Sequence, residues 1–328
     1  MKLGWIFALA LALPLAACKK KDSNAFAGIV FDVGGIDDKS FNESAHRGLM
    51  RAKNELGIAV EYYEPKQPAD RKTGLRRFSG DKVPIIIGVG FIFTDEIVAA
   101  AKDFKDLRFA CVDMSDKADL PPNVLALKFR EEEGSFLVGA LAALRTQTKK
   151  VGFVGGMNVP LIHKFEAGFK AGVKQVASDV EIFVNYVGET PEAFQDPEKG
   201  KSLALGQYKS GADIIYHASG KSGMGVFEAA KEEKKFAIGV DSDQYSSAPG
   251  HVLTSMIKRV DVAVYETIKS VKEGKFQGGT RVFGLADDGI GFVYDQNNKS
   301  LIPEGDYKKV LALRDEIIAG KIKVPSTR

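Results

Sequence analysis

Ala27-Gly28-Ile29-Val30-Phe31-Asp32-Val33-Gly34-Gly35-Ile36-Asp37-Asp38-Lys39-Ser40-Phe41-Asn42 reads as a strand, a glycine turn and the start of a helix. The run 27–33 is rich in β-branched and aromatic residues and stops at two glycines, as a buried strand does. Helical spacing of apolar residues follows over 40–56, and Gly57 stands where a helix end takes a left-handed glycine. The same alternation extends outward. Further strands are expected over 59–63, 83–89, 108–112, 124–129, 150–154, 180–187, 213–217, 236–240 and 251–254. Further helices are expected over 94–104, 131–146, 162–177, 200–210, 223–233, 260–273 (closed by Gly274) and 307–319. Strands alternating with helices predict an α/β fold of parallel sheets with helices on both faces.

The chain also echoes itself. Val33-Gly34-Gly35 returns as Val154-Gly155-Gly156, 121 residues later, each after a strand and before a helix. His46-Arg47-Gly48 in the first helix is matched by Glu166-Ala167-Gly168 in the second. Gly90, ending Ile87-Gly88-Val89-Gly90, pairs with Gly220, ending His217-Ala218-Ser219-Gly220, at an offset of 130. Asp113 after Phe109-Ala110-Cys111-Val112 pairs with Asp241 after Phe236-Ala237-Ile238-Gly239-Val240, at an offset of 128. Four echoes in one order predict two lobes of related topology. Ligands of open parallel sheets bind beyond the carboxyl ends of the strands. The candidate positions are therefore 32–42, Gly90, Phe91, Asp113, 155–158, Gly220 and Asp241. Two such edges facing each other form a cleft that a hinge can close on a ligand.

Ahead of the first strand, Lys2 and an apolar run from Trp5 to Ala17 precede Cys18. The run is too short to span a bilayer and has the length of a signal-peptide core. Leu15-Ala16-Ala17-Cys18 resembles a bacterial lipobox, which predicts cleavage before Cys18, lipidation of its thiol and a chain held outside the cytoplasm by its acyl groups. Residues 18–25 then form a polar tether whose Lys19-Lys20-Lys21 run meets anionic head groups. Losing residues 1–17 leaves 311 residues, enough for two lobes, and lowers the formal charge from +3 to +2 because Lys2 is the only charge removed. A charge so near zero argues against a nucleic-acid partner. Cys111 is then the one remaining cysteine, and its apolar neighbours mark it as a buried structural thiol.

Enzyme motifs fail one by one. Gly220-Lys221-Ser222 resembles the end of a phosphate loop, but the required earlier glycine is Ile215. Gly88-Val89-Gly90 lacks the third glycine of a dinucleotide fingerprint, whose place is taken by Phe93. His46, His163, His217 and His251 are scattered without cysteine partners, so no metal site is expected. No Gly-x-Ser-x-Gly elbow precedes a helix. Asp37-Asp38 and Asp287-Asp288 read as solvated loop acids. No enzyme and no cofactor is expected.

The glycine-rich segment Asp32–Asn42 resembles the Asp-x-Gly-Gly-x-x-Asp-x-Ser-Phe-Asn signature of the basic membrane protein (Bmp) family of substrate-binding lipoproteins. Glu132-Glu133-Gly134-Ser135-Phe136-Leu137-Val138-Gly139, the Phe-x-x-Gly-Phe-x-Ala-Gly-Val-Lys pattern over 165–174, Phe194-Gln195-Asp196-Pro197-Glu198-Lys199-Gly200 and Gly239-Val240-Asp241-Ser242-Asp243-Gln244 are similar too. The resemblance covers about 26–320. It implies the type I periplasmic-binding fold, with two Rossmann-like lobes, a hinge and an inter-lobe cleft. An N-lobe of 26–130 would be completed by about 256–285, and a C-lobe of 131–255 by about 286–320. The implied function is delivery of nucleosides, purine nucleosides by the resemblance, to an ABC permease. The expected partners are a nucleoside, the permease and the bilayer, with the chain itself a monomer.

By the same resemblance, Phe41 and Phe194 sandwich the base, one from each lobe; Phe194 stands in a polar stretch with little local core to join. Asp32 accepts from base N–H groups or serves its own turn, and Asn42 makes a polar contact or caps the following helix. Asp241 grips the ribose diol with both oxygens, joined by Lys258. Gly220 admits the backbone, while Asp113 and Met157 are weaker candidates at strand ends. Two alternatives keep the fold: a receptor for a sugar or another small polar solute, and a surface interaction or sensor lipoprotein. The only tryptophan, Trp5, lies in the signal segment, which weighs against a sugar-only site.

Overall fold

The computed structural model describes residues 24–67, 69–117 and 119–328. The expected signal segment and Cys18 lie outside the described residues. The first half of the chain runs β1 (Ala27–Val30), α1 (Phe41–Leu56), β2 (Val60–Tyr63), α2 (Asp70–Gly80), β3 (Ile85–Val89), α3 (Thr94–Asp103), β4 (Arg108–Val112) and β5 (Val124–Phe129). The second runs α4 (Glu131–Arg145), β6 (Lys150–Met157), α5 (Pro160–Val176), β7 (Glu181–Gly188), α6 (Pro197–Lys209), β8 (Ile214–Ala218), α7 (Gly223–Glu233), β9 (Phe236–Asp241) and β10 (Val252–Lys258). Then come α8 (Val260–Lys272), β11 (Gly279–Phe283), β12 (Ile290–Phe292) and α9 (Glu304–Ile318).

Two six-stranded sheets result, ordered β11-β5-β4-β3-β1-β2 and β12-β10-β9-β8-β6-β7. Position for position the two orders are the same, so the echoes in the sequence reflect one topology used twice. Each sheet is doubly covered. Ile29, Ile87 and Val112 pack with Leu49 of α1 and Val264 of α8, whereas Val30, Ile86 and Cys111 pack with Phe78 of α2 and Ile97 of α3. In the second sheet, Val151 and Ile238 face Phe169 of α5, and Val154 and Ile215 face Ala204 of α6 and Phe227 of α7. Alternate strand residues point to opposite faces, so a sheet covered on both sides needs apolar residues at every position. Cys111 is a buried free thiol. Among the described residues, no helix is long and apolar enough to cross a membrane.

Four features depart from the sequence reading. α2 has only Leu75 and Phe78 as large buried apolar residues, too few to give helical periodicity. In β11, Phe283 alone is buried, so alternation is weak. β12 is three residues long and pairs antiparallel with β10, where parallel strands were expected throughout; it enters the second sheet on a return crossing from the first. Asp38 is buried rather than solvated, accepting from the backbone N–H groups of Ser40, Asn42 and Glu43 at 2.9, 2.8 and 3.1 Å. It caps α1, the alternative role considered for Asn42.

Candidate functional site

The carboxyl ends of β1, β3 and β4 face those of β8, β9 and β10 across a cleft of about 580 Å³, counting the space open to solvent at its mouth. Asp32, Phe41, Asn42, Asp113, Phe194, Gly220, Asp241 and Lys258 all line it. Met157 does not; it ends β6, paired with Gly188 of β7. The sequence reading missed Leu161, Ile162 and Phe165, which add an apolar wall from the N-terminal half of α5. Phe165 was visible only as part of a helix pattern, because an amphipathic helix can turn one ring to a cleft without breaking its period.

Asp32 stands two residues beyond the end of β1. Its Oδ1 accepts from the N–H of Val33 at 2.6 Å, and a Cβ on Gly90 would lie 2.3 Å from its other oxygen. Glycine at 90, with φ +110°, therefore makes room for this carboxyl. Burial pushes the Asp32 pKa up to about 7, against the hydrogen bond from Val33 and the charge of Arg71. Asn42 braces the turn: its Oδ1 accepts from the N–H of Asp32 at 3.1 Å and its Nδ2 donates to the Val33 carbonyl at 3.1 Å.

Asp113 and Asp241 end equivalent strands, and both take left-handed backbone, with φ of 58° and 65°. Aspartate tolerates this conformation better than most residues. Lys258, fully buried, donates to Asp113 Oδ2 at 2.6 Å and lies 3.0 Å from Glu131 Oε1. Glu131 in turn meets Lys164 at 2.5 Å. Burial works against the Lys258 charge, but Asp113, Glu131 and Asp241 outweigh it and hold its pKa above the ordinary lysine range. Burial raises Asp113, with Lys258 opposing, and pushes Asp241 up to about 6. Asp113 Oδ1 is buried without a hydrogen-bond partner. The ammonium of Lys258 also sits 5.1 Å from the Phe41 ring and 5.7 Å from that of Phe165.

Phe194 ends a short turn, Pro191–Phe194, whose position is set by Ser222. The Ser222 hydroxyl donates to the Ala193 carbonyl at 2.8 Å and accepts from the Asp196 N–H at 2.8 Å. Asp196 then caps α6, accepting from Lys199 at 2.9 Å. A Cβ on Gly156 would fall 2.3 Å from the Phe194 ring, so the second Gly-Gly echo leaves room for an aromatic face. His217, the one histidine at the end of β8, is structural: its Nε2 shares Gln244 Oε1 with the Val240 N–H, which makes Nε2 the protonated nitrogen, and burial lowers its pKa to about 4. Among the described residues, no group of three metal-ligating side chains occurs.

Apolar rings, the buried carboxyls of Asp32, Asp38, Asp113 and Asp241 and one buried ammonium in an inter-lobe cleft can hold a flat, neutral, donor-rich molecule. Comparison with known proteins agrees with that architecture. Residues 26–328 match the model of the Bmp family, described as "ABC transporter substrate-binding protein PnrA-like". The chain is 38% identical to a CD4+ T-cell-stimulating antigen of Listeria monocytogenes, covering 93% of this chain and 89% of that protein. It is 35% identical to the ABC transporter nucleoside-binding protein BmpA of Lactococcus lactis, covering 97% of each. A crystal structure of an ABC transporter solute-binding protein from Aeropyrum pernix superposes with a TM-score of 0.82 at 30% identity, over 92% of this chain and 93% of that one. With its two like-ordered sheets and the cleft between them, the chain belongs to the Bmp family of ABC transporter substrate-binding proteins.

Proposed function

We propose that the protein captures nucleosides, purine nucleosides foremost, in the inter-lobe cleft and delivers them to an ABC permease while anchored to the membrane through lipidated Cys18. The observation that carries this reading is the convergence of rings from both lobes, Phe41 and Phe194, with the carboxyls of Asp32 and Asp241 in one cleft. A base stacks on aromatic faces, its N–H edge needs an acceptor, and ribose hydroxyls need further acceptors. Asp32 serves the base edge, with Asn42 holding its turn. Asp241, Asp113 and Lys258 serve the ribose, and Gly220 lets backbone approach. The name of the Lactococcus lactis relative supports the ligand class. The lobes divide as 26–130 with 256–285 and 131–255 with 286–320, although the pairing of β10 carries the second sheet as far as Lys258. No bond is made or broken: ligand stabilises the closed form through contacts that need both lobes.

The test is isothermal titration calorimetry on the chain from Lys19 onward, unfolded and refolded to remove carried-over ligand, with adenosine, guanosine, inosine, cytidine and uridine. One-to-one binding at micromolar affinity or tighter is expected for at least one purine nucleoside. Silence with all five from folded protein overturns the reading. Anchoring is tested separately: Cys18→Ser should move the protein from the membrane to the aqueous fraction.

A further inference from the structure

Asp241 is completed by the opposite lobe. The Ser40 hydroxyl, from the loop before α1, lies 2.5 Å from Asp241 Oδ2 and 3.4 Å from the Val240 carbonyl. A hydroxyl has one proton, and the shorter contact to the charged acceptor takes it. Ser40 itself is fixed from both sides. Its N–H donates to Asp38 Oδ1 at 2.9 Å, and its carbonyl accepts from the Ser242 hydroxyl at 3.1 Å. Next to it, Lys39 takes φ +57° and its carbonyl accepts from Gln244 Nε2 at 3.1 Å. Arg47 Nη2 of α1 donates to the Ser242 hydroxyl at 3.0 Å. Neither Ser40, Ser242 nor Gln244 lines the cleft.

We infer that Ser40 is a positioning residue for Asp241, setting the carboxylate from across the cleft so that one oxygen is held by its hydroxyl and the other faces the ligand. This rests on the cleft being the solute site. It replaces a grip on a diol by both oxygens with one free oxygen, the other being held by Ser40.

The Asp241 carboxyl is faced by Lys258 of β10, Asp38 of the Ser40 loop, Glu131 of α4, Asp113 of β4 and Tyr216 of β8. Lys258 and the Ser40 hydroxyl favour its charged form, while burial, Asp38 and Glu131 disfavour it. Ser40→Ala removes one of the two favourable partners. The test follows the Asp241 side-chain carboxyl by carbon-13 NMR titration in the ligand-free chain, together with adenosine and guanosine affinity between pH 5 and 8. In Ser40→Ala the Asp241 midpoint should rise by about one pH unit. Affinity should fall roughly tenfold or more at pH 8 and further as the pH drops through that higher midpoint. Ser242→Ala keeps the hydroxyl of Ser40 and should leave the midpoint close to wild type. An unchanged midpoint in Ser40→Ala, or an affinity loss equal at every pH, overturns the assignment. If wild type binds neither nucleoside, the ligand reading falls, and the ligand-free titration still decides the role of Ser40.

Discussion

Asp32 is held where a carboxylate is least comfortable, buried beside Gly90 with a pKa of about 7. Its folded pKa exceeds its unfolded value of 3.8, so between those limits the native state binds more protons than the unfolded state. Stability from this group therefore rises as pH falls through 7 and is lowest above it. Asp32→Asn should stabilise the ligand-free protein at pH 8 by up to about 4 kcal/mol, with the gain shrinking towards pH 4 and nucleoside binding lost. Urea unfolding across that range checks it; a gain independent of pH would show that the burial cost lies elsewhere. Phe194 offers the opposite case. Half-buried at the edge of the main core, it should lose roughly ten- to hundredfold in affinity as Phe194→Ala, with a smaller proportionate loss of stability. Both residues are legible in sequence for the same reason: each stands where its neighbours do not ask for it, a carboxyl at the end of an apolar strand and a ring in a polar stretch. Ser40 falls within the candidate stretch 32–42 but its role is not legible, nor are Phe165 and Glu131, because a serine at a helix start, a ring on a helix face and an acid in a first turn all satisfy ordinary local rules.

At the level of elements, the central strands β1, β3, β4 and β8 announce themselves because double coverage buries nearly every position. α2 and β11 do not, since each is stabilised by a few contacts with neighbours distant in sequence. The Ser40 loop shows how local rules mislead in the other direction. Asp37-Asp38 has the composition of a solvated turn, yet Asp38 folds back beneath α1 and accepts from two of its first N–H groups, Asn42 and Glu43, and from Ser40 just before it. Asp38→Ala should lower unfolding free energy by about 1–2 kcal/mol, the cost of a lost helix cap. Because the same cap fixes the Ser40 loop, nucleoside affinity should fall as well, whereas Asp196→Ala, which uncaps α6, should act mainly through Phe194. Unfolding and titration on both variants separate the two loops; equal effects on stability and none on binding would show that the caps serve only their helices.

The whole molecule is one topology used twice, and the offsets of 120 to 130 residues in the sequence become equivalent strand ends across the cleft. Sequence could show the repeat but not how the halves are joined, because two of the joining groups lie on separate crossings between the sheets. Lys258, at the end of β10, lies on one of them, and Glu131, at the start of α4, on another; Asp113 belongs to the first sheet. A cation buried among three carboxyls makes charge balance a property of both lobes together. Lys258→Met leaves those carboxyls without their central partner, and removing one member of a buried pair costs about 3–5 kcal/mol. The acids can relieve that cost only by taking up protons. In the variant the folded pKa values of Asp113 and Asp241, already above the ordinary range, move further up, and Glu131 loses a cation that holds its own value down, so the native state gains protons relative to the unfolded state as the medium acidifies. The stability gap between Lys258→Met and wild type should therefore be widest near pH 8 and narrow steadily towards pH 5, as read by urea unfolding at each pH. A gap that stays constant would mean that Lys258 contributes packing against Phe41 and Phe129 rather than charge.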